Sequence, residues 1–223
     1  MLHELDKNME KYTESMIKKA LSVAYDKAIN GFEVQGFKIL DSSFDLARDY
    51  SNPDRPVKKN ATSLINWQCT KAGTCGFATS LGGFASMAVG VPANITSVLY
   101  IQLRMIVAIA IMAGYDPHND KVQTFAYVCL LGNSAGDVLK EAGMVITEKL
   151  TLNYIKKTVT GKMLTKINQA VGFRLITKAG SKGAINLTKT IPVVGGIFGA
   201  GFDVITTKGI GAAAKKIFID GKV

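Results

Sequence analysis

The chain has 223 residues, 48% of them hydrophobic, 20% charged and 8% aromatic, with 22 glycines and a mean hydropathy of +0.18. Such a composition excludes a disordered or collagen-like chain, because it can bury enough apolar surface to offset its ordering entropy, and the length suits one domain spanning residues 1–223. With 27 basic residues against 17 acidic ones the net charge is +10, and a chain both apolar and basic points to a membrane surface or an apolar partner.

Leu2, Leu5, Met9, Tyr12, Met16, Leu21 and Ala24 recur near helical spacing with Lys7, Lys11, Glu14 and Lys18 between them, which predicts an amphipathic N-terminal helix. Gly31 and Gly36 loosen the chain. Asp41 or Ser42 then caps a short helix through Leu46 and Ala47 that ends before the Ser51-Asn52-Pro53 turn. A third helix is expected from about Val57 to Thr70, with Leu64, Ile65 and Trp67 close to one stripe.

Residues 72–103 form a run of 32 without a formal charge. Gly73, Gly76, Gly82, Gly83 and Gly90 each cost ~1 kcal/mol relative to Ala in an isolated helix, so close packing is expected there, with Gly76, Ser80, Gly83 and Gly90 letting another helix approach. After Pro92, residues 95–111 are apolar on nearly every side and end at Gly114, the pattern of a buried helix. Membrane insertion is close to neutral. Nine Ile, Leu and Val residues contribute roughly −3 to −5 kcal/mol against about +2.5 to +3.5 for a central Arg104, before the smaller costs of Thr96, Ser97 and Gln102. The segment therefore reads as a buried hairpin of a compact protein, with a membrane-inserting hairpin as the alternative. A buried Arg104 needs a carboxylate or carbonyl partner, and Asp116, Asp137 and Asp203 are the candidate carboxylates.

Asp116-Pro117 reads as the start of a helix carrying Val122, Phe125, Val128, Cys129 and Leu130 to Gly132. Gly136 and Gly143 are then placed with Val138, Leu139, Val145 and Ile146 on a helix running to about Thr158, and Leu164, Ile167, Val171 and Leu175 define another. Residues 192–203 place Gly195 and Gly199 on one face and lead into a basic amphipathic tail with Ala212, Lys215, Lys216 and Phe218. No convincing alternating strand is found. The expected fold is all-α, a single compact helical domain with glycine-rich, tightly packed central helical hairpins.

The charge is unevenly placed. Residues 1–71 hold 11 Lys/Arg against 10 Asp/Glu, residues 72–137 hold 2 against 3, and residues 138–223 hold 14 against 4. The last stretch includes Lys156, Lys157, Lys162, Lys166, Lys178, Lys182, Lys189, Lys215 and Lys216, which are expected to face anionic lipid at ~1 kcal/mol per basic residue. A solvated basic face accounts for the same residues. Arg174 is the one arginine among those 14 cations, so bidentate reading of base edges is poorly served and lipid ranks above nucleic acid.

Catalytic material is sparse. His3 and His118 are the only histidines, and Cys69, Cys75 and Cys129 lack metal-ligand spacing, so no catalytic residue, metal or cofactor is assigned. An odd count of thiols and no secretory leader lead to the expectation of reduced thiols in the cytoplasm, and the basic last third with the uncharged stretch to the expectation of a position at the inner face of the cell membrane. Gly199-Ala200-Gly201 lacks the third glycine of a dinucleotide fingerprint, and Gly161-Lys162 lacks the surroundings of a phosphate loop. As ligand-binding or buried polar residues the sequence offers Arg104, Asp116, Asn133, Asp137, Arg174 and Asp203, because polar groups in apolar segments are costly unless they pair or bind something.

The order of several short motifs resembles the EcsC protein family. They are Trp67-Gln68-x-x-Lys71-Ala72-Gly73, Gly76-Phe77, Leu81-Gly82-Gly83, Pro92-Ala93-Asn94, Gln102-Leu103-Arg104-Met105-Ile106 with Ala108-Ile109-Ala110, and Gly114-Tyr115-Asp116. The second half adds Leu131-Gly132-Asn133, Lys166-Ile167-Asn168, Gly172-Phe173-Arg174-Leu175-Ile176, Asn186-Leu187 and Ile191-Pro192-Val193-Val194-Gly195-Gly196. The resemblance covers about residues 20–219 and leaves 1–19 as an N-terminal helical extension. It implies a bacterial, largely helical, membrane-associated protein whose namesake is encoded beside an ABC-type exporter; with the basic last third, the expected partners of such an accessory protein are anionic membrane lipid or a membrane protein such as an ABC transporter. It implies no reaction. The rival reading is a hydrolase-like enzyme binding lipid or a small ligand in a cavity between the glycine-rich helices, lined by Arg104 with Asp116 or Asp203, although no nucleophile motif supports it.

Overall fold

The computed structural model describes residues 2–34, 37–73, 93–144, 152–183 and 200–221. The glycine-rich stretches 74–92 and 184–199, on which the expected central hairpins depend, lie outside the described residues, as do Cys75 and Lys189. Within them the order is α1 (Leu2–Asn30), a hairpin of β1 (Phe32–Val34) and β2 (Phe37–Leu40), α2 (Ser43–Tyr50), α3 (Val57–Gly73) and α4 (Ala93–Met112). There follow α5 (Asp120–Cys129), a 3-10 turn (Gly132–Ser134), α6 (Ala135–Glu141), α7 (Leu152–Thr158), α8 (Gly161–Gly183), α9 (Ala200–Ala214) and a π turn (Lys215–Ile219). The fold is all-α with one antiparallel two-stranded hairpin, in which Glu33 stands opposite Lys38 and Val34 opposite Phe37.

α4 is the centre of the molecule. Met105 to Ala110 are all buried, so no face of the helix is left for water, and α1, α2, α3, α5, α9 and the π turn pack around it. Among the described residues no helix is long and apolar enough to cross a membrane. α1 meets α4 through Ala20, Leu21, Ala24, Tyr25, Ala28 and Ile29, a run at helical spacing whose small alanines let the two axes come close.

Local signals start and stop the helices. Ser42 caps α2 in a capping box: its Oγ accepts from the Asp45 N–H at 3.1 Å, while the Asp45 carboxylate accepts from the Ser42 N–H at 3.1 Å. The Asp116-Pro117 pair, by contrast, does not open α5. Asp116 accepts from the His118 N–H at 2.9 Å and the Asn119 N–H closes on the Asp116 carbonyl at 3.2 Å, so Pro117 sits in a turn and Asn119 becomes the cap, accepting from Lys121 N–H at 2.9 Å.

Gly143 lies at a helix end rather than within a helix. With φ +85°, it ends α6 by donating to the Lys140 carbonyl while Met144 donates to that of Leu139, and Gly114 (φ +84°) ends α4 in the same way. Trp67 also departs from expectation: the buried stripe of α3 is Asn60, Ala61, Leu64, Ile65 and Gln68, and Trp67, about a quarter-turn from the centre of that stripe, is 47% exposed.

α3 and α9 approach so closely that a β-carbon on Gly211 would lie 2.6 Å from Ile65 Cγ1 and 2.8 Å from its Cγ2. Ile65 is buried and branched at Cβ, so it has no free end to move aside. Gly211→Ala is expected to destabilise the fold by about 1–3 kcal/mol in denaturant unfolding. Ile65→Ala combined with it should cost less than the two single changes added, because the truncation removes the clashing atoms; strict additivity would mean that this contact is not the source of the loss.

Candidate functional site

α8 carries the site. Its start is marked by Thr160, whose Oγ1 accepts from the Met163 N–H at 3.3 Å. Ile167 and Val171 are buried, with Met163, Leu164, Ala170 and Leu175 half-buried around them, and this face rests on α5 and α1. Asn168 belongs to the same face: its Nδ2 donates to Thr124 Oγ1 of α5 at 3.3 Å, while its buried Oδ1 has no partner.

On the outer face, spacings of four, three and four place Lys162, Lys166, Gln169 and Phe173 on one stripe, and all four are exposed. Phe173 is 60% exposed, more than Trp67 (47%) or Phe44 (43%). Lys157 on α7, four residues before the start of α8, is also exposed. Lys166, Gln169, Ala170 and Phe173 border Glu141 and Ala142 of α6 across an open groove of about 420 Å³.

Arg174 links the two helices beside this groove. Its guanidinium donates to Glu141 and stands 3.7 Å from Asp137, and its side chain is 27% exposed. Of the six polar residues picked out by sequence, the structure thus brings together Asp137 and Arg174, as a clamp between α6 and α8. Arg104 goes elsewhere. It is half-buried, donates to the Asp41 carbonyl at 3.2 Å and the Tyr100 hydroxyl at 3.4 Å, and stands 6.0 Å from the Tyr100 ring centre, with no carboxylate in ion-pair range among the described residues. The carbonyl is therefore its partner, not Asp116, whose carboxylate serves the turn before α5. Asn133 is exposed in the 3-10 turn, and Asp203 falls on α9.

The lysines likewise separate. Lys162, Lys166, Lys157 and Lys216 are exposed, whereas Lys215 is partly buried with its Nζ donating to Thr62 Oγ1 of α3 at 2.8 Å, which ties the C-terminal turn to the body. Lys178 and Lys182 continue α8, and Lys156 lies on α7. Phe173 was not singled out as a site residue by sequence. The available signal was its phase: it is out of step with the Leu164, Ile167, Val171 and Leu175 stripe and in step with Lys162 and Lys166.

A second cleft, of about 300 Å³, lies between α1 and the start of α5, with Tyr25, Asp26, Asn30, His118 and Gln123 among its walls. Its polar groups largely serve one another: Tyr25 donates to the Pro117 carbonyl at 2.8 Å, Asn30 to Asp26 at 3.0 Å, and Gln123 to the Tyr127 hydroxyl at 3.0 Å. The rings of Tyr25 and Tyr127 meet edge to face at 5.6 Å. Among the described residues no group of three or more His, Cys, Asp and Glu is placed to hold a metal ion. Burial pushes both phenols well above their ordinary value of 10.0, with Tyr127 and Asp116 adding to the effect on Tyr25 and the Gln123 hydrogen bond opposing it at Tyr127. Burial raises the Cys129 thiol likewise.

Because the folded state keeps phenol protons that the unfolded chain releases, this contribution to stability is complete below pH 10 and is lost as the pH rises beyond it. Denaturant unfolding should show stability falling above that pH by up to about 1.4 kcal/mol per pH unit for each buried phenol. Tyr25→Phe and Tyr127→Phe should each flatten the fall. An unchanged slope in both variants would place the alkaline loss in other groups.

Comparison with known proteins gives the family but no precedent for the site. The sequence matches the model of the EcsC protein family over residues 1–219, a stretch that includes the N-terminal helix, and the chain belongs to that family. It is 27% identical over 164 residues to "Uncharacterized protein YdbA" of Bacillus subtilis (strain 168). That alignment covers 73% of this chain and 57% of the relative, so the chain spans little more than half of that protein's length. No solved structure matches the chain.

Proposed function

We propose that this EcsC family member is a peripheral accessory protein that docks on an anionic membrane surface through the Lys-rich last third of the chain. The observation that carries the reading is the outer face of α8, where Lys162 and Lys166 are exposed in line with Phe173 and followed by Lys178 and Lys182 on the same helix. Opposing charge is scarce. The 14 basic residues of 138–223 face only 4 acidic ones in that stretch, and Glu141, which borders the groove, is held by Arg174.

Lysine suits this task. Its ammonium is a compact, strongly hydrated charge on a flexible stem, which meets a diffuse layer of lipid phosphates without needing fixed geometry. That no helix among the described residues is long and apolar enough to cross a membrane supports docking on a surface over insertion, and the supporting role in an envelope or ABC-type export process is taken from the family resemblance. A membrane protein at that surface is the second kind of partner the reading allows.

Co-sedimentation with vesicles tests it. Binding should be weak on phosphatidylcholine alone, rise as phosphatidylglycerol is added, and fall with added salt as the Debye length shrinks to about 10 Å near 0.1 M. Lys162→Glu with Lys166→Glu should weaken binding to the anionic vesicles by roughly twentyfold or more, since each lysine lost is worth ~1 kcal/mol. Equal binding to neutral and anionic vesicles would sink the electrostatic basis of the reading.

A further inference from the structure

We infer that α8 lies along the bilayer interface with Phe173 inserted between the lipid headgroups as an apolar wedge, flanked by Lys162 and Lys166 on the phosphates. The inference rests on the docking proposed above and names the part of the protein that enters the lipid. An exposed phenylalanine has no use for water, yet Phe173 stands 60% exposed on the polar face of a helix whose own apolar stripe is already buried against α5 and α1. Among the described residues, the buried stripe of α8 is complete without it.

Its neighbours supply the complementarity. Lys162, Lys166 and Phe173 share one stripe, and the 11 residue steps from the first to the last span about 16 Å of helix, so basic heads and ring can meet one flat surface at once. Lysine stems are long enough to leave their heads at the phosphate level while an apolar side chain on the same face goes deeper. The two carboxylates on the adjoining α6, Asp137 and Glu141, are turned to Arg174, which lowers the repulsion they would exert on an anionic surface.

The chain has one tryptophan, Trp67, so replacing it makes a single indole at position 173 a clean reporter. In a Trp67→Phe background, Phe173→Trp should shift its emission to the blue on addition of phosphatidylglycerol vesicles, and should be quenched when the lipids carry brominated acyl chains. Phe173→Ser should weaken vesicle binding by about tenfold through the lost apolar burial, and that loss should persist at high salt, unlike the loss from the lysine reversals. Both changes lie on a solvent-facing stripe, and unchanged unfolding midpoints will verify that the fold is kept. If the reporter protein sediments with vesicles while its indole neither shifts nor is quenched, the wedge is overturned and the electrostatic docking stands. If the parent chain fails to sediment with anionic vesicles at low salt, the docking falls and the wedge with it.

Discussion

A helix with no polar face dictates the arrangement of the rest. Six consecutive residues of α4, Met105 to Ala110, are shut away from solvent, and a helix in that state must be enclosed by other elements or by lipid. Here it is enclosed by protein. α1 and α2 cover one part of it, α3 and α9 another, and α5 a third, with the π turn beside its end. The few polar groups near this centre are tied down. Ser43 donates to the carbonyls of Ala28 at 2.6 Å and Arg104 at 3.3 Å, linking α1, α2 and α4 through one hydroxyl, and Tyr100 donates to the Asp41 carbonyl at 2.9 Å. Each bond serves a group that would otherwise be desolvated for nothing.

That enclosure explains why α8 has a face to spare. It packs chiefly on α5, α1 and α6, one layer out from α4, and so needs apolar residues on a single stripe. Core packing therefore sets Leu164, Ile167, Val171 and Leu175 and leaves the opposite stripe unconstrained by the fold. What stands on an unconstrained stripe is set by solubility or by function. Lysine at 162 and 166 favours solubility and phenylalanine at 173 does not, the contrast on which the proposed wedge rests.

The helices legible in the sequence were those whose signal is local. Ser42, one of the two cap candidates, the unbroken apolar run of α4, and the three- and four-residue spacing of Leu164, Ile167, Val171 and Leu175 each report one element and were found in place. The misses required knowledge of partners. Three- and four-residue strands carry too little alternation to register, yet β1 and β2 pair antiparallel. Asp-Pro opens a helix or a turn with equal ease, and Asn119 two residues past Pro117 decided for the turn. Gly143 was compatible with a tightly packed helix interior until its positive φ showed a helix end. At the candidate site, the pairing of Arg174 with Asp137 was foreseeable only as a shortlist, because the contact joins residues 37 apart in the chain.

The two basic residue types divide the work according to their chemistry. The one arginine among the 14 cations of the last third is drawn inward, where its planar fork can engage Glu141 and Asp137 together and hold α6 against α8. Exchanging it for lysine would keep the charge and lose the fork. The exposed lysines do the reverse, since their hydrated heads gain little from any single fixed partner but respond to the summed potential of a charged surface. Such a field steers and orients, but it is screened within about a Debye length and holds nothing firmly at physiological salt. A contact that persists needs a term that salt does not weaken, and burial of an aromatic ring is such a term. On α8 the two stand 7 residues apart on one stripe, and the proposed docking assigns approach to Lys166 and retention to Phe173.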